Sequence, residues 1–217
     1  YINKYTDFYD EIYGYTKSSI LQEVCKYGLG SVAIALIDKK CNLIHQDRYG
    51  FTALMEAVRR GLNNVAVHII DNLTDRTTRI TCYGMSEMIY LSNNYDSDNV
   101  IKMIDRGHDI YYKTNTNRTL FTDAIYYRHE QIVKKLIDMD VNFVSQLNTF
   151  DDKIQWPEGI FRDNIKIYCR DKYDDYKREI ITAMNNASST NALYQSFHTT
   201  YVVGLVDIIC DFILLRM

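Results

Sequence analysis

Histidines, cysteines and glycines are the residues here that could hold a metal, supply a nucleophile or cradle a phosphate. The chain has 217 residues, with five His, five Cys and nine Gly. His45, His68, His108, His129 and His198 form no His-Glu-x-x-His or comparable ligand spacing. Cys25, Cys41, Cys82, Cys169 and Cys210 are odd in number, scattered, and lack a Cys-x-x-Cys pair, which argues for reduced thiols and against a structural metal. Cys25 reads as a packing residue. No Gly-rich phosphate loop and no nucleophile elbow occurs. His129-Glu130 reads as a solvated polar pair in a turn. The expectation is a protein that is not an enzyme and carries no cofactor and no metal.

Composition narrows the partners. With 47% hydrophobic residues and a net charge of −3 the chain can bury a sizeable core, yet it has no polycationic tract for a nucleic-acid backbone. No nucleic acid and no membrane are expected, because Asp207 and Asp211 break the longest apolar run well below the ~18 residues a span needs. No signal peptide is visible, and the opening Tyr1 fits a trimmed chain. Unpaired cysteines then favour the cytoplasm.

The elements that would position any functional side chain are set out most clearly by Asp47 to Leu73. Gly50 marks a turn, Thr52 can N-cap a helix starting at Ala53, and Leu54, Ala57 and Val58 share a helical face. Gly61 stops that helix, and Val65, Ala66, Ile69 and Ile70 line the next. The template recurs. Cap residues fall at Ser19, Thr52, Ser86 and Thr119, separated by 33, 34 and 33 residues. The apolar pairs Leu36-Ile37, Ile69-Ile70, Met103-Ile104 and Leu136-Ile137 keep those intervals, as do Asn42, Asp75, Asp109 and Asn142. The one additional residue is placed between Asp75 and Thr81, as a loop insertion. Three sequons begin at Asn72, Asn117 and Asn186; Thr119 is needed as a cap, and all three are expected to be unused.

On these residues the chain resembles the ankyrin-repeat family, whose unit of 33 residues is a β-turn plus two helices. The resemblance covers roughly Gly14 to Gln146 and is closest in repeat two, at Asp47, Gly50, Thr52, Leu54, Ala57 and Gly61. It departs where the family has Thr-Pro-Leu-His: this chain has Thr52-Ala53-Leu54-Met55, Ser19-Ile20-Leu21-Gln22, Ser86-Glu87-Met88-Ile89 and Thr119-Leu120-Phe121-Thr122. Without that His, which ties neighbouring repeats in the family, a less rigid stack is expected. Lys17 and Asn117 stand at the turn glycine, and Tyr95 and Arg128 at the glycine between helices. The implied fold is all-α: a solenoid of about four repeats (14–46, 47–80, 81–113, 114–146) with helical caps at both ends.

The flanks follow from periodicity. In segment 1–13, Ile2, Tyr5, Tyr9 and Ile12 are spaced as a short amphipathic helix that would cover the open end of repeat one. Region 147–184 reads as a degenerate fifth repeat or helical region, with Leu147 to Asp152 as a fifth turn. Pro157 opens a helix whose apolar side is Phe161, Ile165, Tyr168, Tyr176 and Ile180. Segment 185–217 reads as a polar linker, then a helix from about Ala192. One stripe of that helix is Leu193, Phe197, Tyr201, Leu205, Ile208, Phe212 and Leu215; a second is Val202, Val206, Ile209 and Ile213. Such a helix caps the stack or docks a partner, self-association included. Its position is similar to the F-box-like segment with which many poxviral ankyrin proteins recruit a ubiquitin ligase, although no Leu-Pro opening is present.

What the resemblance implies about function is a concave groove, built from turn tips and the exposed side of the first helices, that binds another protein. Carried onto this sequence, its positions are Tyr15 and Tyr27 in repeat one; Arg48, Tyr49, Phe51, Arg59 and Arg60 in repeat two; Tyr83 and Met85 in repeat three; and Arg118, Tyr126 and Tyr127 in repeat four. Tyr and Arg are prominent at binding hot spots. Arg59, Arg60, Tyr126 and Tyr127 sit at the ends of first helices two repeats apart, roughly 20 Å if stacked helices lie ~10 Å from one another. The expected ligand is an acidic-hydrophobic segment of a protein partner, bound by a non-enzymatic interaction module. The alternatives are an architectural subunit of a larger assembly such as a virus particle, and a ubiquitin-ligase adaptor. A composition rich in Tyr, Asn and Ile resembles ankyrin proteins of large DNA viruses and protists, for which the location would be the host cytoplasm if viral.

Overall fold

The computed structural model describes residues 7–140, 142–144, 146–147, 159–186, 190, 192–197 and 204–208. They are mostly helical, as expected of the all-α class, and contacts divide the chain into two compact units, Tyr1–Ile132 and Val133–Met217.

The first unit is built from helix pairs: α1 (Ile20–Lys26) with α2 (Gly30–Asp38), α3 (Ala53–Arg59) with α4 (Asn63–Asn72), and α5 (Glu87–Asn93) with α6 (Ser97–Asp105). Next in the chain come α7 (Leu120–Tyr126) and α8 (Glu130–Met139), the latter running across the unit boundary. First helices contact first helices, α1 on α3 on α5 on α7, while α2 lies on α4 and α4 on α6.

Local chemistry explains each start. Ser19, Thr52, Ser86 and Thr119 all have extended backbone, and their hydroxyls accept the N–H groups of Gln22, Met55, Ile89 and Thr122 at 3.3, 3.3, 3.3 and 3.1 Å. Each cap is worth about 1 kcal/mol. In the first and last of these helices Gln22 and Thr122 return a bond to the cap's own N–H, closing a capping box. The stops recur too. The residues at 28, 61, 95 and 128 all have left-handed φ, of 76°, 68°, 60° and 59°, although the last two are Tyr95 and Arg128. The turn positions 17, 50, 84 and 117 do the same, with φ of 56°, 78°, 75° and 60° at Lys17, Gly50, Gly84 and Asn117. The template therefore imposes its backbone even where the residue is not glycine.

The apolar faces meet in one core. Leu54, Met55, Ile69, Ile70, Ile89, Leu91, Met103 and Ile104 are all at most 1% exposed. Cys25 is completely buried, and burial, helped by the charges of Glu56 and Cys41, pushes its thiol up to about 12. It packs, as its place beside Val58 in the template implies.

Side chains also tie neighbouring pairs together. Gln22 Nε2 donates to the Phe51 carbonyl at 2.6 Å, Gln46 Nε2 to the Ile80 carbonyl at 2.9 Å, and Thr52 Oγ1 to Glu87 Oε1 at 2.7 Å. Along the second helices His68 Nε2 reaches Asp38 at 2.8 Å and Lys102 Nζ reaches Asp71 at 2.7 Å.

One expectation at the N-terminus needs correction. Ile12 is not on an amphipathic helix: it and Tyr13 pair with Ser18–Ser19 as strands β1 and β2, and Ile12 is 56% exposed. Among the described residues a helical turn precedes them at Asp7–Asp10, where Asp10 accepts the Asn42 N–H at 2.7 Å. Ile2 and Tyr5 lie outside the described residues.

In the second unit a single unbroken helix, α9 (Ile160–Asn185), buries Phe161, Ile165, Cys169 and Met184. It contains no break of the helix-turn-helix kind. Asp138 fastens it to α8, accepting from Tyr168 Oη at 2.5 Å and from Lys172 Nζ. After α10 (Ala192–Phe197), residues 204–208 are helical. There Val206 of the second apolar stripe is fully buried against Met184, beside Tyr173, Ile180 and Ile181, while Ile208 of the first stripe is 64% exposed. The burying face of 204–208 is thus the second stripe, and Lys177 pairs with Asp207 at its edge. Pro157, Tyr201, Val202, Ile209, Phe212, Ile213, Leu215 and most of the proposed fifth turn lie outside the described residues. Among the described residues no helix is long and apolar enough to cross a membrane.

Buried His108 should give the first unit a pH dependence. It is 7% exposed, and its Nε2 finds no hydrogen-bond partner among the described residues. Burial, then the positive charges of Arg79, Arg76 and Arg106, hold it below its ordinary value of 6.5 against a weaker pull from Asp75. Below about pH 6.5 the unfolded chain therefore takes up a proton that the folded chain resists. Stability should be complete above that pH and fall with acidification until the folded form also protonates, with a slope of at most about 1.4 kcal/mol per pH unit. Urea midpoints between pH 5 and 8 check this: wild type should lose stability on the acid side, and His108→Leu should lose measurably less.

Candidate functional site

The turn tips are held by short side chains that accept backbone N–H groups. Asp47 Oδ1 accepts from Tyr49 and Phe51 at 2.8 and 2.9 Å, and Thr81 Oγ1 and Thr114 Oγ1 accept from Met85 and Arg118 at 3.2 and 3.0 Å. Successive tips are joined by Arg48 N–H to the Thr16 carbonyl and Cys82 N–H to the Tyr49 carbonyl, both 2.8 Å. This leaves Arg48, Tyr49 and Tyr83 exposed in a row, Tyr83 by 74%, with the Arg48 guanidinium 4.3 Å over the ring of exposed Tyr15.

Other expected residues are engaged within the fold. Phe51 is half-buried and meets Tyr90 edge-on, ring centroids 5.5 Å apart. Met85 is half-buried, its sulfur receiving the Asn93 amide at 3.6 Å. Arg118 donates twice to Asp123, at 2.8 and 2.7 Å. Burial raises the Asp123 carboxyl above the usual range, opposed by that guanidinium. Arg118 thus serves its own turn.

At the ends of the first helices Arg59 pairs with Glu56, while Arg60 and Tyr27 are exposed and Tyr126 is 72% exposed. Tyr127 does not face solvent as expected. It is half-buried, 5.0 Å from Tyr126, 5.9 Å from Tyr95 and 6.1 Å from His129, centroid to centroid. Nor is His129 solvated: it is 8% exposed, with Nε2 2.8 Å from the Ser92 carbonyl and Nδ1 3.2 Å from Ser97 Oγ. It bridges two helix pairs.

No three His, Cys, Asp or Glu side chains among the described residues gather where a metal could be held. Burial pushes the Cys41 and Cys169 thiols up to about 11, so they stay protonated at neutral pH. An open depression of about 450 Å³ beside α1, lined by Tyr13, Gly14, Thr16, Ile20, Glu23 and Lys26, presents one ion pair, Lys26 with Glu23 at 3.3 Å. Comparison with protein-family models finds no match, and neither does comparison with curated proteins.

What the surface offers is large, shallow side chains with polar ends. Arg48, Tyr49, Arg60, Tyr83 and Tyr126 are exposed, each on a turn or helix end fixed by the bonds above. Tyr95 was missed by sequence reasoning. It is 70% exposed beside Tyr127, and the signal was a tyrosine at a position that holds glycine in two other pairs.

Proposed function

We propose that this chain is a divergent member of the ankyrin-repeat family, a solenoid of about four repeats that binds another protein through its turn tips and first helices. The observation that carries the reading is the recurrence of left-handed backbone at 17, 28, 50, 61, 84, 95, 117 and 128. That recurrence is independent of residue type and keeps the family's interval. Stacked first helices with exposed Arg and Tyr at their ends then supply the kind of surface on which interface energy concentrates. Acidic-hydrophobic segments suit it, since guanidinium groups pair carboxylates and tyrosine faces pack apolar side chains. On this reading the protein works as a non-enzymatic module.

The test is a variant with Arg48, Tyr49, Arg60 and Tyr83 all changed to Ala. These side chains are exposed, so each change should alter stability by no more than about 0.5 kcal/mol. Proteins retained by the immobilised wild-type chain should fall at least tenfold on the folded variant. Undiminished retention would move the binding face elsewhere. A large drop in melting temperature would show that these residues pack. Light scattering on the same preparations addresses the architectural alternative, which requires self-assembly.

A further inference from the structure

The ends of the third and fourth helix pairs carry a group of rings with no counterpart in the first two. Tyr95 and Tyr126 are 70% and 72% exposed, and both rings stand edge-on to half-buried Tyr127, at 76° and 84°. Under them lies His129, 5.2 Å from Tyr95 and held by the Ser92 carbonyl and the Ser97 hydroxyl. The rings are therefore braced before any ligand arrives, which lowers the entropy lost on binding.

Backbone geometry gives a second, independent observation. Tyr95 and Arg128 hold φ of 60° and 59° where the first two pairs have Gly28 and Gly61. A bulky side chain in that conformation is strained, and strained residues concentrate at functional sites. These two positions carry one aromatic ring and one cation. Arg128 is exposed, and while its backbone N–H bonds the Ile125 carbonyl at 3.1 Å, its guanidinium has no hydrogen-bond or ion-pair partner among the described residues. The acid that follows Tyr95 is already engaged, Asp96 accepting from Asn99 at 2.8 Å.

Resting on the protein-binding reading above, we infer that Tyr95, Tyr126 and Tyr127 form a ledge that, with Arg128, takes an aromatic side chain flanked by a carboxylate on an acidic peptide. The aromatic side chain lies against the exposed rings and the carboxylate meets the free guanidinium.

The strain makes the test clean. Tyr95→Gly and Arg128→Gly each restore the residue that the first two pairs use, so neither should impair folding. The probe is the peptide acetyl-Asp-Trp-Glu-Leu-Asp-amide, followed by NMR shifts of the intact chain. Wild type should bind it at millimolar or lower concentration, with the largest shifts at Tyr95, Tyr126 and Arg128. Both variants should melt no more than a few degrees below wild type and bind at least tenfold more weakly. Replacing the peptide's acids by Lys, or its Trp by Ala, should have the same effect. Binding unchanged in either variant, or no binding by wild type, overturns the proposal. So does a Tyr95→Gly variant that melts far below wild type, because the ring would then be a packing element. A natural partner that is lost by the Arg48, Tyr49, Arg60 and Tyr83 variant but kept by both glycine variants would refute the ledge and leave the general reading standing.

Discussion

Gly50→Val should destabilise the first unit by roughly 2–5 kcal/mol. Left-handed φ costs a β-branched residue about 1–2 kcal/mol, and overpacking adds about 1–3. The φ is 78°, and a Cβ built there would lie 2.4 Å from the Ile80 carbonyl oxygen and 2.7 Å from the Thr81 Cα. Those atoms are backbone of the next turn, where Ile80 bridges Ser86, so no side chain can swing aside. Gly61 is the internal control. It has φ of 68° but nothing within 4 Å of the same built atom. Gly61→Val should cost only the conformational part, about 1–2 kcal/mol. Thermal melts of the two variants separate the effects: at roughly 2–4 °C per kcal/mol, Gly50→Val should melt visibly below Gly61→Val. Coincident melts would mean that the second and third turns do not touch.

The contrast between Gly50 and Gly61 lies in their surroundings, which spacing alone does not reveal. Caps, stops and paired apolar residues depend on the chain within a few positions, so Ser19, Thr52, Ser86 and Thr119 could be placed as helix starts from spacing alone. The left-handed stops at Tyr95 and Arg128 were legible for the same reason, through the glycines at equivalent positions. Side chains whose partners lie a full interval away were less accessible. His129 looks like a turn residue until its acceptor, the Ser92 carbonyl 37 positions earlier, is known. Tyr127 looks exposed until Tyr95 is seen to approach it. One long-range signal was present and unused. Asp38, Asp71, Asp105 and Asp138 recur at 33, 34 and 33, and Asp38, Asp71 and Asp138 pair with His68, Lys102 and Lys172. In the candidate site, register places Arg48, Tyr49, Arg60, Tyr83 and Tyr126 on the exposed surface. It carries no information on internal partners, which is why Phe51 and Arg118 turned out to be engaged within the fold.

The residue least legible of all sets the second large effect. Arg79 lies in the stretch that carries the loop insertion, where periodicity says nothing of it, yet it is 5% exposed. Its Nε donates to Glu87 Oε2 at 2.9 Å, its Nη1 to Asp75 Oδ2 at 3.0 Å, and its Nη2 lies 2.7 Å from Glu87 Oε2 without hydrogen-bond alignment. Glu87 is 4% exposed and receives the Thr52 hydroxyl from the preceding pair, so the ion pair joins two helix pairs through one buried carboxylate. Removing the guanidinium leaves that carboxylate in a site with too few partners. Arg79→Ala should therefore cost about 3–5 kcal/mol, the usual penalty for breaking a buried pair from one side. Removing both charges is different, because desolvation of the pair is then avoided. Arg79→Met with Glu87→Leu should recover much of the loss, and a double-mutant cycle in urea measures the coupling directly. If Arg79→Ala cost less than about 1 kcal/mol, the pair would behave as a solvated surface bridge. If the double variant were no more stable than the single, the Thr52 hydroxyl and Asp75, rather than the ion pair, would be holding the joint.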